Sequence, residues 1–134
     1  MVRLGLVVAQ FNESVTGPMA EAAREAADER DADVVSEVPI PGAYDAPLAA
    51  HRLARRDDID AVAVIGAVVT GDTEHDRVVA ETAGDKLADV SLDTDTPVAF
   101  GVSGPGMSGA EARERVEKGA DAVHAAVDLH ENLP

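Results

Sequence analysis

The sequence predicts an α/β protein built on a four-stranded parallel sheet with helices on both faces. Four apolar runs rich in β-branched residues alternate with four segments of helical periodicity. The third of them, Ala61 to Val69, is apolar throughout rather than alternating apolar with polar, as a strand covered on both faces is.

Each element follows in chain order. Arg3 to Ala9 is a buried strand and Gln10 to Thr16 a turn. Gly17 to about Arg30 is helical, with Met19, Ala22, Ala23 and Ala26 on one face. Asp33 to Val38 is the second strand, closed by Pro39-Ile40-Pro41-Gly42. A second helix spans Ala43 to about Arg56, with Pro47 in its first turn, where a proline is tolerated. The acidic turn Asp57 to Asp60 leads into the third strand, Ala61 to Val69. A third helix runs from about Glu74 to Val90, and Pro97 to Val102 forms the fourth strand. The glycine-rich turn Ser103-Gly104-Pro105-Gly106-Met107 precedes a last helix from about Ser108 to Leu129. Right-handed crossovers leave few topologies for these units, and the flavodoxin-like order 2-1-3-4 is the natural one.

Composition narrows the class of protein. With 134 residues the chain is expected to form one domain over 1–134, large enough to bury about two-thirds of its unfolded surface. It has no cysteine, hence neither a disulfide framework nor a thiolate metal site. Met1-Val2-Arg3-Leu4-Gly5 lacks the basic stretch of a signal peptide, and no apolar run approaches the roughly 20 residues of a membrane span, so a cytoplasmic location is expected. Asp and Glu number 26 against 11 Lys and Arg, a net charge of −15. Such a surface repels nucleic acid and anionic membranes and excludes both as partners. It fits a folded protein adapted to high salt, where self-repulsion is screened.

In sheets of this kind ligands bind beyond the carboxyl ends of the strands. The unusual residues fall there: Phe11-Asn12 after strand one, Pro41 to Asp45 after strand two, Gly71 to His75 after strand three, and the glycine-rich turn after strand four. The third of these is the densest. A glycine turn leaves a buried strand, and Thr73 stands at the start of a helix whose free N–H groups attract anions. His75, in the first turn, would sit beside whatever anion binds there. A simpler reading makes Thr73 only a cap and His75 a solvated residue. The chain has just three aromatic residues, Phe11, Tyr44 and Phe100, and two of them lie in these loops. An exposed Phe in the polar turn Gln10-Phe11-Asn12-Glu13 is explained by a flat heterocycle stacking on it, or by the ring folding back over the local core.

Over nearly its whole length the chain resembles the 6,7-dimethyl-8-ribityllumazine synthase family, and its archaeal branch in particular. The motifs are Phe11-Asn12, Pro41-Gly42-Ala43-Tyr44-Asp45-Ala46-Pro47, Gly66 to Val69 followed by Gly71 to His75, Phe100-Gly101-Val102, and Ala112-Arg113-Glu114-Arg115, in the family's order and spacing. The resemblance implies a riboflavin-biosynthesis enzyme that needs no cofactor, with active sites between neighbouring subunits of a homopentamer or a multiple of it. Its reaction would condense 5-amino-6-(D-ribitylamino)uracil with 3,4-dihydroxy-2-butanone 4-phosphate. By similarity His75 is the acid/base residue, and Asp72, Thr73 and Arg115 hold the phosphate. Phe11 stacks on the pyrimidine, Ala67, Val68 and Val69 line its edge, and Ala43, Tyr44 and Asp45 hold the ribityl chain. Phe100 reaches the ring from the adjacent subunit. Asp45 stands where the family often has Glu, and Lys118 and Asp121 lie too close to Arg115 to match a bacterial lysine–aspartate element. His51, His124 and His130 match no motif and are expected on the surface. Other readings are an archaeal-type riboflavin synthase of the same fold, a non-enzymatic flavin or mononucleotide carrier, and a structural shell protein.

Overall fold

The computed structural model describes residues 1–70 and 75–134. Four strands, β1 (Arg3–Ala9), β2 (Asp33–Ile40), β3 (Ala61–Val69) and β4 (Val98–Met107), form an all-parallel sheet of order β2-β1-β3-β4, as the sequence predicts. Five α-helices and one 3₁₀ turn (Ala43–Asp45) complete the described elements, the helices being α1 (Glu13–Glu29), α2 (Ala46–Ala54), α3 (His75–Thr94), α4 (Gly109–Arg113) and α5 (Lys118–Asn132). Side-chain alternation along the strands divides the core into two. Leu4, Leu6, Val8, Ala63 and Ile65 face α1 and α5, whereas Val7, Val62, Val64 and Val102 face α2 and α3. β3 lies between β1 and β4 and is buried over its first eight residues, which is why its sequence is uniformly apolar.

Several boundaries move. α1 begins at Glu13, inside the stretch expected to be a turn. Asn12 adopts a left-handed conformation (φ 64°), and its carbonyl accepts bonds from the N–H groups of Val15 and Thr16. Val15 and Met19 then sit one helical turn apart, both fully buried on the sheet, and that burial outweighs the hydrogen bond Pro18 forgoes. Ala20 and Ala27 are buried too, while Ala22 is only half-buried. β2 extends through Pro39 to Ile40, which an edge strand allows because its outer N–H groups need no ladder partner. The second helical segment is a short 3₁₀ turn, Ala43–Asp45, leading into α2. α3 runs on to Thr94, where Asp95 turns left-handed (φ 52°).

β4 shows the largest correction. It continues to Met107, through the segment expected to be a free glycine-rich turn, with Val69 in register with Met107 after an irregularity beyond Ala67. Gly104 and Gly106, at φ 97° and 84°, bend the strand where a side chain would be strained. The single last helix is two. Between α4 and α5 the chain tightens into i→i−3 bonds, Glu114 to Glu111 and Arg115 to Ala112. α5 then approaches α1 so closely that any side chain at Gly119 would strike the Met19 carbonyl.

Arg3 and Asp60 join the start of β1 to the entry of β3. Asp60 accepts from the Arg3 backbone N–H at 2.8 Å and from the guanidinium at 2.9 and 3.2 Å. The Arg3 hydrogen bond holds the Asp60 carboxyl below its ordinary value, and Arg24 does the same for Glu37. A carboxyl depressed in the folded state contributes stability that is present above its unfolded value of about 4 and is lost as pH falls. Comparing parent with Asp60→Asn by thermal denaturation should show a steeper loss in the parent between pH 6 and pH 3. Parallel curves would remove Asp60 from the acid response.

Candidate active site

A cleft of about 550 Å³ opens at the carboxyl edge of the sheet. Its floor is the end of β3, Ala67 to Thr70, where the strand leaves the core. One wall comes from the loops after β1 and β2, which are cross-tied. The Gln10 N–H donates to the Ile40 carbonyl at 2.8 Å and the Phe11 N–H to the Pro41 carbonyl at 2.9 Å. Asn12 Nδ2 donates to the Ala67 carbonyl at 2.9 Å, fastening that wall to the floor. The other wall is the first turn of α3, with His75, Asp76 and Val79.

The rings of Phe11 and Tyr44 stand on the wall formed by the loops after β1 and β2, 71% and 61% exposed, so neither folds back over the core. All three aromatic residues of the chain are solvent-facing, since Phe100 is 40% exposed as well. Val, Ala, Leu, Ile and Met fill the interior instead. A flat heterocycle lying on the β3 floor would find apolar contact, an aromatic face and main-chain groups for its edge. The ionisable side chains among the described lining residues are Tyr44, His75 and Asp76, so proton transfer and hydrogen bonding are the chemistry on hand.

Of the residues singled out in the sequence, the structure brings Phe11, Ala43, Tyr44, Ala67, Val68, Val69 and His75 to this cleft. Asp72 and Thr73 lie outside the described residues. Three others lie off the lining. Asp45 is exposed and its Oδ2 accepts from the Gly42 N–H at 3.1 Å, bracing the 3₁₀ turn. Phe100 projects from the edge strand β4 toward Gly84 of α3. Arg115 is exposed in the turn between α4 and α5. Asn12, Thr70, Asp76 and Val79 are lining residues that the sequence reasoning did not assign. A signal existed for Asn12, because asparagine at a strand end tolerates the left-handed turn into a helix. His130 is exposed as expected, whereas His51 and His124 are half-buried, and His124 Nδ1 lies 3.2 Å from the Arg30 guanidinium.

Fold and cleft together define a flavodoxin-like α/β protein with an aromatic-fringed cleft at the carboxyl edge of its sheet. The family model for 6,7-dimethyl-8-ribityllumazine synthase matches residues 1–133. A 6,7-dimethyl-8-ribityllumazine synthase of Halorubrum lacusprofundi is 74% identical over 133 residues, covering 99% of both chains. That of Halobacterium salinarum is 70% identical across 99% of this chain and 100% of its own. One from Methanococcus maripaludis is 47% identical over 99% and 97% of the two chains. The chain belongs to the 6,7-dimethyl-8-ribityllumazine synthase family.

Proposed function

We propose that this chain, acting as one domain over residues 1–134, catalyses the lumazine-forming step of riboflavin biosynthesis in the cleft described above. It joins 5-amino-6-(D-ribitylamino)uracil to 3,4-dihydroxy-2-butanone 4-phosphate, releasing phosphate and water. The observation that carries this reading is the meeting of Phe11, Tyr44 and His75, from three separate parts of the chain, around one apolar floor. Phe11 stacks on the pyrimidine while the main chain of Ala67, Val68 and Val69 holds its edge. Ala43 and Tyr44 flank the ribityl chain, and Asp45 accepts from its hydroxyls after releasing the Gly42 N–H.

The reaction forms an imine, expels phosphate and closes a ring, and each step moves a proton. A histidine at the edge of the cleft is suited to carry them, because one imidazole can both donate and accept a proton. The four-carbon phosphate is held by Asp72 through its backbone, Thr73 through its hydroxyl and Arg115 through its guanidinium. Phe100 and Arg115 lie off the lining of their own cleft, which supports a homo-oligomer, a pentamer or a multiple of it. A neighbour then brings Phe100 against the bound ring. Among the described residues no helix is long and apolar enough to cross a membrane, and a cytoplasmic location belongs to the same reading.

Purified protein given both substrates should develop the fluorescence of the lumazine product; none from folded oligomer would overturn the reading. In the same assay Arg115→Ala should weaken the phosphorylated substrate by about 1.5–3 kcal/mol, about 10- to 100-fold, and leave the pyrimidine nearly unaffected. Equal weakening of both would make Arg115 a structural residue.

A further inference from the structure

We propose that Asp76 is a positioning residue that clamps the reacting corner of the cleft to the far end of β4. Asp76 lies half-buried in the first turn of α3, directly after His75, and lines the cleft. Its Oδ2 accepts a hydrogen bond from the Gly106 N–H at 3.2 Å. The next strand residue, Met107, uses its carbonyl to accept from the Thr70 N–H at 2.7 Å. Thr70 and Asp76 are the described residues on the two sides of His75 and the stretch 71–74. Both are therefore held by consecutive residues of one strand.

The glycines of β4 acquire a purpose from this. A Cβ on Gly106 would touch nothing within 4 Å, so its φ of 84° and not crowding calls for glycine. With Gly104 at 97°, this path sets the Gly106 N–H before the Asp76 carboxylate. The bond also turns one anionic oxygen toward β4. A carboxylate left facing the cleft would repel a phosphorylated substrate. Asp76 thus acts through the placing of His75, and touches no reacting atom.

The inference rests on the reading of the cleft given above, and two measurements keep them separable. Hydrogen–deuterium exchange of the folded oligomer needs no turnover. Asp76→Ala should speed exchange in peptides spanning 70–76 and 104–108, while Asp76→Asn, which keeps a carbonyl acceptor, should resemble the parent. In steady-state kinetics Asp76→Ala should raise KM for the phosphorylated substrate and lower kcat, together costing about 10- to 100-fold, as a misplacement of about 1 Å does. Pyrimidine affinity should change little, and Asp76→Asn should recover most of the loss. Parental exchange in Asp76→Ala would overturn the clamp. So would equal impairment of the two variants, which would make charge the operative property, or equal weakening of both substrates. A parent that exchanges as expected but forms no lumazine would overturn the proposed function and leave the clamp standing.

Discussion

Replacing His75 by alanine slows lumazine formation by a factor of about 10 to 1,000 while leaving the fold and pyrimidine binding intact, the range left when a proton carrier is lost and proximity survives. The binding surface explains the second half of that expectation. The β3 floor and the Phe11–Tyr44 wall belong to other elements, and His75 is an exposed residue at the opposite edge. Single-turnover rates with both substrates bound isolate the chemical step from binding. Turnover equal to the parent's would remove His75 from the mechanism, and lost pyrimidine binding would make it a ligand contact instead.

Lowering salt from molar to millimolar concentration is expected to dissociate the proposed oligomer and to abolish activity in the same range. A ring of five chains would carry −75, five times the −15 of one chain. Charges repel over a Debye length of about 30 Å at 0.01 M salt but only about 3 Å at 1 M. Ion pairs within the chain do not change that sum, which already counts their arginines. Arg24–Glu37 at 2.7 Å and Arg30–Asp128 at 2.6 Å bridge neighbouring elements, but these surface pairs leave the excess of carboxylates unbalanced. Since Phe100 completes the neighbour's cleft in the proposed function, separated subunits are inactive. Sedimentation and turnover across one salt series test both halves. An active oligomer at 10 mM salt would defeat the adaptation to high salt, and full activity in a verified monomer would defeat the shared site.

The sequence by itself determined the sheet and the rim at which its unusual residues gather. Ala61 to Val69 had to be a central strand, because nine uninterrupted apolar residues beside βα alternation can be buried only between two layers of helices. Once the order 2-1-3-4 followed, Phe11, Tyr44 and His75 had to gather at the carboxyl rim. The spacing of their motifs was enough to indicate the family. Only the tertiary structure decided where α1 begins, that β4 runs on through its glycines, and that α4 and α5 are separate. It also decided that Asp45, Phe100 and Arg115 stand off the cleft while Asn12 and Asp76 line it. Periodicity reports which face of an element is buried, a property of neighbouring residues in the chain. The Asn12–Ala67 and Asp76–Gly106 bonds join residues 55 and 30 positions apart. Such bonds depend on where whole elements come to rest, and no local pattern records them.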